Sequence, residues 1–190
     1  MDEYKILREE QMDKLKTQER LTQLCYTIVL AIWTAAFTIE NEWVLLFALL
    51  IIVPISVRVL KSRMDSAFLA AYMAICLEPK LNINWETNNA KYCNTYYRDK
   101  ELTNFHVLTQ LEFVFLSTIT SVLFWMMRGG NLVILNNHII AIIVILLQLT
   151  IVIFELIIVR QFYKYKEHRN EYMRRWKKVL CNKKVHLKHK

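Results

Sequence analysis

The sequence predicts an all-α integral membrane protein: four transmembrane helices arranged as two hairpins, with a cytoplasmic helical middle region and a basic C-terminal helix. Three observations carry this. The apolar residues are gathered into blocks, the links between paired blocks are short, and Lys and Arg are nearly excluded from those links. The 190-residue chain is 55% hydrophobic yet 22% charged, and its two glycines, Gly129 and Gly130, are neighbours. A phosphate cradle needs glycines spaced through a loop after a strand, so nucleotide-binding sites of that kind are excluded. Collagen-like, low-complexity and cysteine-rich secreted classes fall to the same composition.

Uncharged stretches run from Leu21 to Ile39, Trp43 to Val57, Phe113 to Met127 and Gly129 to Phe154. A helix rises about 1.5 Å per residue, so a hydrocarbon core of about 30 Å takes roughly 20 residues. The first and fourth stretches reach that length. The second does so if Arg58 snorkels, and the third if it begins near Val107 and accommodates Glu112. The chain then divides into a charged helix (1–20), hairpin one (21–57), a cytoplasmic or interfacial region (58–106), hairpin two (107–159) and a basic tail helix (160–190). Four such blocks would leave a soluble protein too little polar surface to cover its core.

Glu40-Asn41-Glu42 links the first two stretches and Arg128-Gly129-Gly130-Asn131 the last two, lengths suited to antiparallel helices. Lys5, Arg8, Lys14, Lys16 and Arg20 precede the first span, seven more cations lie in the middle region, and twelve of the 25 lie in the tail. The two links share only Arg128. Positive residues stay on the cytoplasmic side, which puts both termini and the middle region inside a plasma (inner) membrane and both links outside. The densely charged first twenty residues are unlike a signal peptide, so the first span is read as its own uncleaved anchor. The net charge of +8 is mostly this asymmetry, with anionic lipid as its plain partner and a nucleic acid or nucleotide as the sharper one.

No catalytic constellation emerges. Cys25, Cys76, Cys93 and Cys181 form no metal-ligand pair, and a reducing cytoplasmic side argues against disulfides. The five histidines include no HExxH, and no nucleophile elbow is present. No enzyme activity, cofactor or metal is therefore expected.

Segment 1–20 lacks Gly and Pro and is rich in helix formers, so it reads as a helix extending the first span or packing on a neighbouring subunit. After the second span, Val57, Leu60, Met64, Phe68, Ala71 and Ile75 recur on one helical face, with a stop expected at Glu78-Pro79. The segment that follows is aromatic and amide-rich. Trp85, Tyr97 and Arg98, with Arg58 and Lys61, are the candidates to stack a base and hold a phosphate; the plainer reading is that the aromatics pack the cytoplasmic part. In the tail, Tyr163, Tyr165, Tyr172 and Trp176 alternate with cations, as an interfacial belt would.

Glu112 and Glu155 lie near the ends of the third and fourth spans, with Gln110 and Gln148 nearby in sequence. An ionisable group in hydrocarbon costs at least about 2.5 kcal/mol on insertion scales and usually faces protein or water. Glu112, Glu155 and Gln148 are therefore candidates for a pore or a subunit contact, the alternative being that both glutamates reach the headgroups. No span is amphipathic enough for a pathway inside one chain, so a conduit would form between copies in a homo-oligomer, for instance a tetramer.

Two short-turn hairpins around Arg58, Tyr72, Leu77-Glu78 and Trp85-Glu86 resemble small bacterial membrane effectors of anti-phage defence. This broad class is partnered with nucleotidyltransferases and includes SLATT-type proteins and the Hailong membrane effector. The likeness covers the layout and the middle segment, about half the chain, although SLATT proteins typically have two spans. It implies a homo-oligomeric ion channel, controlled by a nucleotide or short oligonucleotide from a nucleotidyltransferase partner, that depolarises the membrane. A non-conducting scaffold that recruits a soluble partner through its basic face is the alternative. A secondary transporter has less support, because the hairpins share no evident likeness and only Pro54 interrupts a span.

Overall fold

The computed structural model describes residues 2–96, 111–129 and 138–188. Among these every element is helical: α1 (Asp2–Ile39), α2 (Val44–Tyr72), a π turn (Met73–Leu77), α3 (Glu78–Leu81), α4 (Trp85–Tyr96), α5 (Glu112–Met127), α6 (His138–Tyr163) and α7 (Tyr165–Lys188). Three helical stretches are long and apolar enough to cross a membrane: Asp2–Ile39, Val44–Leu81 and Ile140–Gln161. α5 is apolar but has 16 residues, and positions 107–110, where the sequence extends the third span, lie outside the described residues.

The chain gathers into two compact units. The apolar unit comprises residues 19–60 and 107–161. Ala36, Leu45, Phe124 and Val144 form a buried cluster in it, one residue from each of α1, α2, α5 and α6, with Trp33 and Trp125 packed against it. Outward-facing positions are also apolar, among them Leu30, Phe47, Leu50, Val122, Ile143 and Ile153. The buried polar residues Ser56, Ser117, Thr120, Gln148 and Glu155 point inward instead. A soluble protein exposes its polar groups, whereas a lipid-facing one turns them in. Pro54 stands inside α2, where its missing N–H frees a carbonyl one turn earlier, a defect that membrane helices tolerate.

Arg128, which follows α5, meets the turn between α1 and α2. Arg128 Nη1 donates to Glu42 Oε1 over 2.8 Å, and the guanidinium lies 5.3 Å from the Trp43 ring centroid. α1 ends on Glu40 at φ +54°, a left-handed conformation usually left to glycine, and the Asn41 N–H closes on the Ala36 carbonyl at 3.1 Å. After α5, Gly129 takes φ +75°, where glycine carries no such cost.

The polar unit comprises residues 1–18, 61–106 and 162–190. α2 continues through it, and the face it buries differs from the one its large apolar residues suggest. Of the expected face Ala71 is buried but Phe68 is exposed, as is Val57 just before this unit, while Ser62, Ser66, Ala67, Ala70 and Ala74 are buried. Small side chains let the start of α1 approach closely enough for Ser62 Oγ to donate to the Lys14 carbonyl at 3.0 Å. Phe68 borders that stripe and packs against Tyr172 and Trp176 of α7, with ring centroids 5.6 and 5.4 Å apart. These are edge-on or tilted contacts of the favourable kind.

The stop expected at Glu78-Pro79 is also displaced. The π turn hands the Glu78 N–H to the Met73 carbonyl, five residues back, and Pro79 falls in the first turn of α3. N–H groups in a first turn have no intrahelical acceptor, so proline loses nothing there. The helix ends at Leu81, with Asn82 at φ +55° and the Ile83 N–H on the Glu78 carbonyl.

Candidate functional site

Each unit contains one concentration of buried polar chemistry. In the polar unit it centres on two carboxylates, Glu78 and Glu86, which are 1% and 2% exposed. Glu78 serves as a cap borrowed from a neighbouring helix. It accepts from the backbone N–H of Glu86, from the Thr87 N–H at 3.1 Å and from the Thr87 hydroxyl at 2.6 Å. The two N–H groups are orphan donors of the first turn of α4, and a carboxylate there also faces the positive end of the helix dipole.

Glu86 turns the other way and receives Arg8 Nη1 at 2.6 Å, while the same guanidinium reaches Gln11 Oε1 at 2.6 Å. Arg169 of α7 is buried and donates to the Ala90 carbonyl of α4 at 3.4 Å. Burial pushes the Glu86 carboxyl above the usual carboxylate range. Arg8 pulls it down, Glu78 pushes it up, and Arg169 and Gln11 draw it down again. The cluster thus ties α1, α3, α4 and α7 together.

Trp85 sits beside this cluster, 59% exposed, with the Arg8 guanidinium 5.8 Å from its ring centroid. An anionic ligand stacked on Trp85 would have to share Arg8 with Glu86. Lys61 is exposed in the same unit, whereas Arg58 is an exposed residue of the apolar unit. Tyr97 and Arg98 lie outside the described residues.

In the apolar unit, Glu155 of α6 is fully buried, with Oε1 2.9 Å from Ser56 Oγ of α2. Its second oxygen, Oε2, is buried without a hydrogen-bond partner among the described residues. Gln148, two turns earlier on α6, accepts from Trp125 Nε1 of α5 at 2.8 Å, and its own Nε2 is buried and unpartnered. Trp33 Nε1 donates to Thr120 Oγ1 at 3.1 Å, and Glu112 faces the Tyr26 hydroxyl. Cys25 is buried and free. A groove of about 760 Å³ runs between α5 and α6, lined by Thr118, Ser121, Trp125 and Gln148 among apolar residues. Of the candidates expected at a pore or subunit contact, Glu155 and Gln148 are therefore engaged inside the unit, and Gln148 also borders an open groove.

Sequence reasoning missed Arg8, Gln11 and Arg169 as partners of the middle segment, and Ser56 as the partner of Glu155. Arg8 and Gln11 do share one helical face three residues apart, but nothing in the local pattern names Glu86 as their target. No cluster of three or more His, Cys, Asp or Glu placed to hold a metal occurs among the described residues. Comparison of the chain with protein-family models, curated proteins and solved structures finds no match.

Proposed function

We propose that the protein is a homo-oligomeric membrane effector of bacterial anti-phage defence. In this reading it forms an ion channel gated by a nucleotide or oligonucleotide and depolarises the plasma membrane when released. The chain crosses the bilayer four times, with residues 107–127 as the third span, both turns outside and both termini inside. The contact of Arg128 with Glu42 supports the pairing of the turns at one end of the bundle.

The observation that carries the proposal is the inward set of polar groups in otherwise apolar helices: Ser56, Ser117, Thr120, Gln148 and Glu155. Polar side chains at membrane depth are costly and are kept where ions, protons or subunit contacts need them. The groove between α5 and α6, with the Thr118 and Ser121 hydroxyls on its wall, is where a second copy would complete a conduit. Trp85 offers an exposed aromatic face to a base, and Lys61 is an exposed cation of the same unit.

The test is conductance of the purified protein in planar bilayers, with and without short oligonucleotides, paired with membrane potential in expressing cells. Unitary current steps and loss of potential are expected. A silent bilayer and an unchanged potential would refute the channel. A second reading, a scaffold that recruits a soluble partner, is favoured by the exposed Arg174, Arg175, Lys177 and Lys178 of α7. It expects co-purification of that partner with no conductance.

A further inference from the structure

We propose that Glu155 is carried as a neutral carboxylic acid that donates its proton to Ser56, which makes the α2–α6 contact an intramembrane proton-binding site. The inference begins with a count of protons. Ser56 Oγ lies 2.8 Å from the Val53 carbonyl oxygen and 2.9 Å from Glu155 Oε1. A hydroxyl has one proton to give, and a backbone carbonyl can only accept. Both contacts are full two-centre hydrogen bonds at once, with no proton shared between them, only if Ser56 donates to Val53 and accepts from Glu155. The donor on Glu155 is then an O–H on Oε1.

Charge points the same way. Glu155 is 0% exposed, and Oε2 has no hydrogen-bond partner among the described residues. Among the described residues no Lys, Arg or His forms an ion pair with it, and the ionisable group that shares its surroundings is the free thiol of Cys25 on α1. Glu112 of α5 is turned to Tyr26, and Arg58 of α2 is exposed. A carboxylate in this place would be a buried charge with one hydroxyl for company, which low-polarity surroundings strongly disfavour. A carboxylic acid leaves only its carbonyl oxygen unmatched. The ligand of the site is therefore a proton, and the proton holds α6 on α2. Its departure leaves two acceptors and one shared proton where there were two hydrogen bonds. The inference rests on the membrane placement of α6 and not on conduction.

Infrared absorption of the full chain in lipid vesicles at neutral pH tests it. A carboxylic C=O band that moves on exchange into heavy water is expected in the wild type. It should vanish in Glu155→Gln, whose amide can still donate to Ser56. It should shift in Ser56→Ala, where the acid loses its acceptor, and that variant serves as well if Glu155→Gln fails to fold. The band should be the same in potassium and sodium chloride. A spectrum identical in wild type and both variants, or a band abolished by either cation, would overturn the proposal. Neither readout involves current, so a conducting protein with an ionised Glu155 defeats this inference alone, and a silent protein with the band defeats only the channel.

Discussion

Replacing Arg8 with methionine probes the polar unit most directly. Methionine keeps an unbranched apolar stem but removes the guanidinium that neutralises Glu86 and bonds Gln11. Glu86 is 2% exposed, so water does little to replace the lost partner; Arg8 is 34% exposed, so part of the pair energy was already screened. Breaking a fully buried pair costs about 3–5 kcal/mol, and an exposed one about 0.2–1. A pair with one end in each condition should cost about 2 kcal/mol, or roughly 30-fold in an opening equilibrium. Amide hydrogen exchange of α4 in the full chain, held in lipid nanodiscs, is the assay, because α4 is fastened by Glu78 and Glu86. Its amides should exchange roughly 30-fold faster in Arg8→Met. The double variant Arg8→Met/Glu86→Gln should recover most of that loss, since no buried charge is then left alone. An α4 that exchanges as in the wild type, or a double variant whose losses simply add, would refute the reasoning.

Other outcomes follow from the same geometry. Burial holds the Glu86 carboxyl above its ordinary range, so the folded state binds this proton more readily than the unfolded chain does. Stability from this group is fully present below the unfolded value and is lost as pH rises through the folded one. Wild type should therefore gain relative to Glu86→Gln on mild acidification, as read by denaturation at a series of pH values. Glu40→Gly should stabilise the first turn by about 1 kcal/mol, because glycine adopts φ +54° without the side-chain penalty; a lower melting temperature would contradict this. Ala70→Leu should destabilise the polar unit by about 1–3 kcal/mol through overpacking of the small-residue stripe, whereas Val57→Leu at an exposed position of the apolar unit should be nearly silent.

The broad architecture was legible because it rests on local quantities. Uncharged runs of sufficient length, few helix breakers and short links dictate helices that prefer lipid, and α1, α2 and α6 follow those runs. The polar unit was less legible. On α2 the large apolar residues form the more conspicuous face, yet the alanine and serine face is buried, because close approach of α1 depends on small volume as well as hydrophobicity. Pro79 marked a stop that the π turn moved to Leu81, since a five-residue hydrogen bond changes which N–H groups need partners.

By itself, then, the sequence determined that the described residues are helical, that three of their helical stretches are long and apolar enough to cross a membrane, and that a few polar groups fall within those stretches. Only the tertiary structure decided how those groups pair. Ser56 meets Glu155 from 99 residues away, and Arg8 meets Glu86 from 78. Each meeting depends on the register of helices remote in sequence, and burial then makes the chosen partner decisive. A polar atom removed from solvent has no alternative to the neighbour that packing supplies.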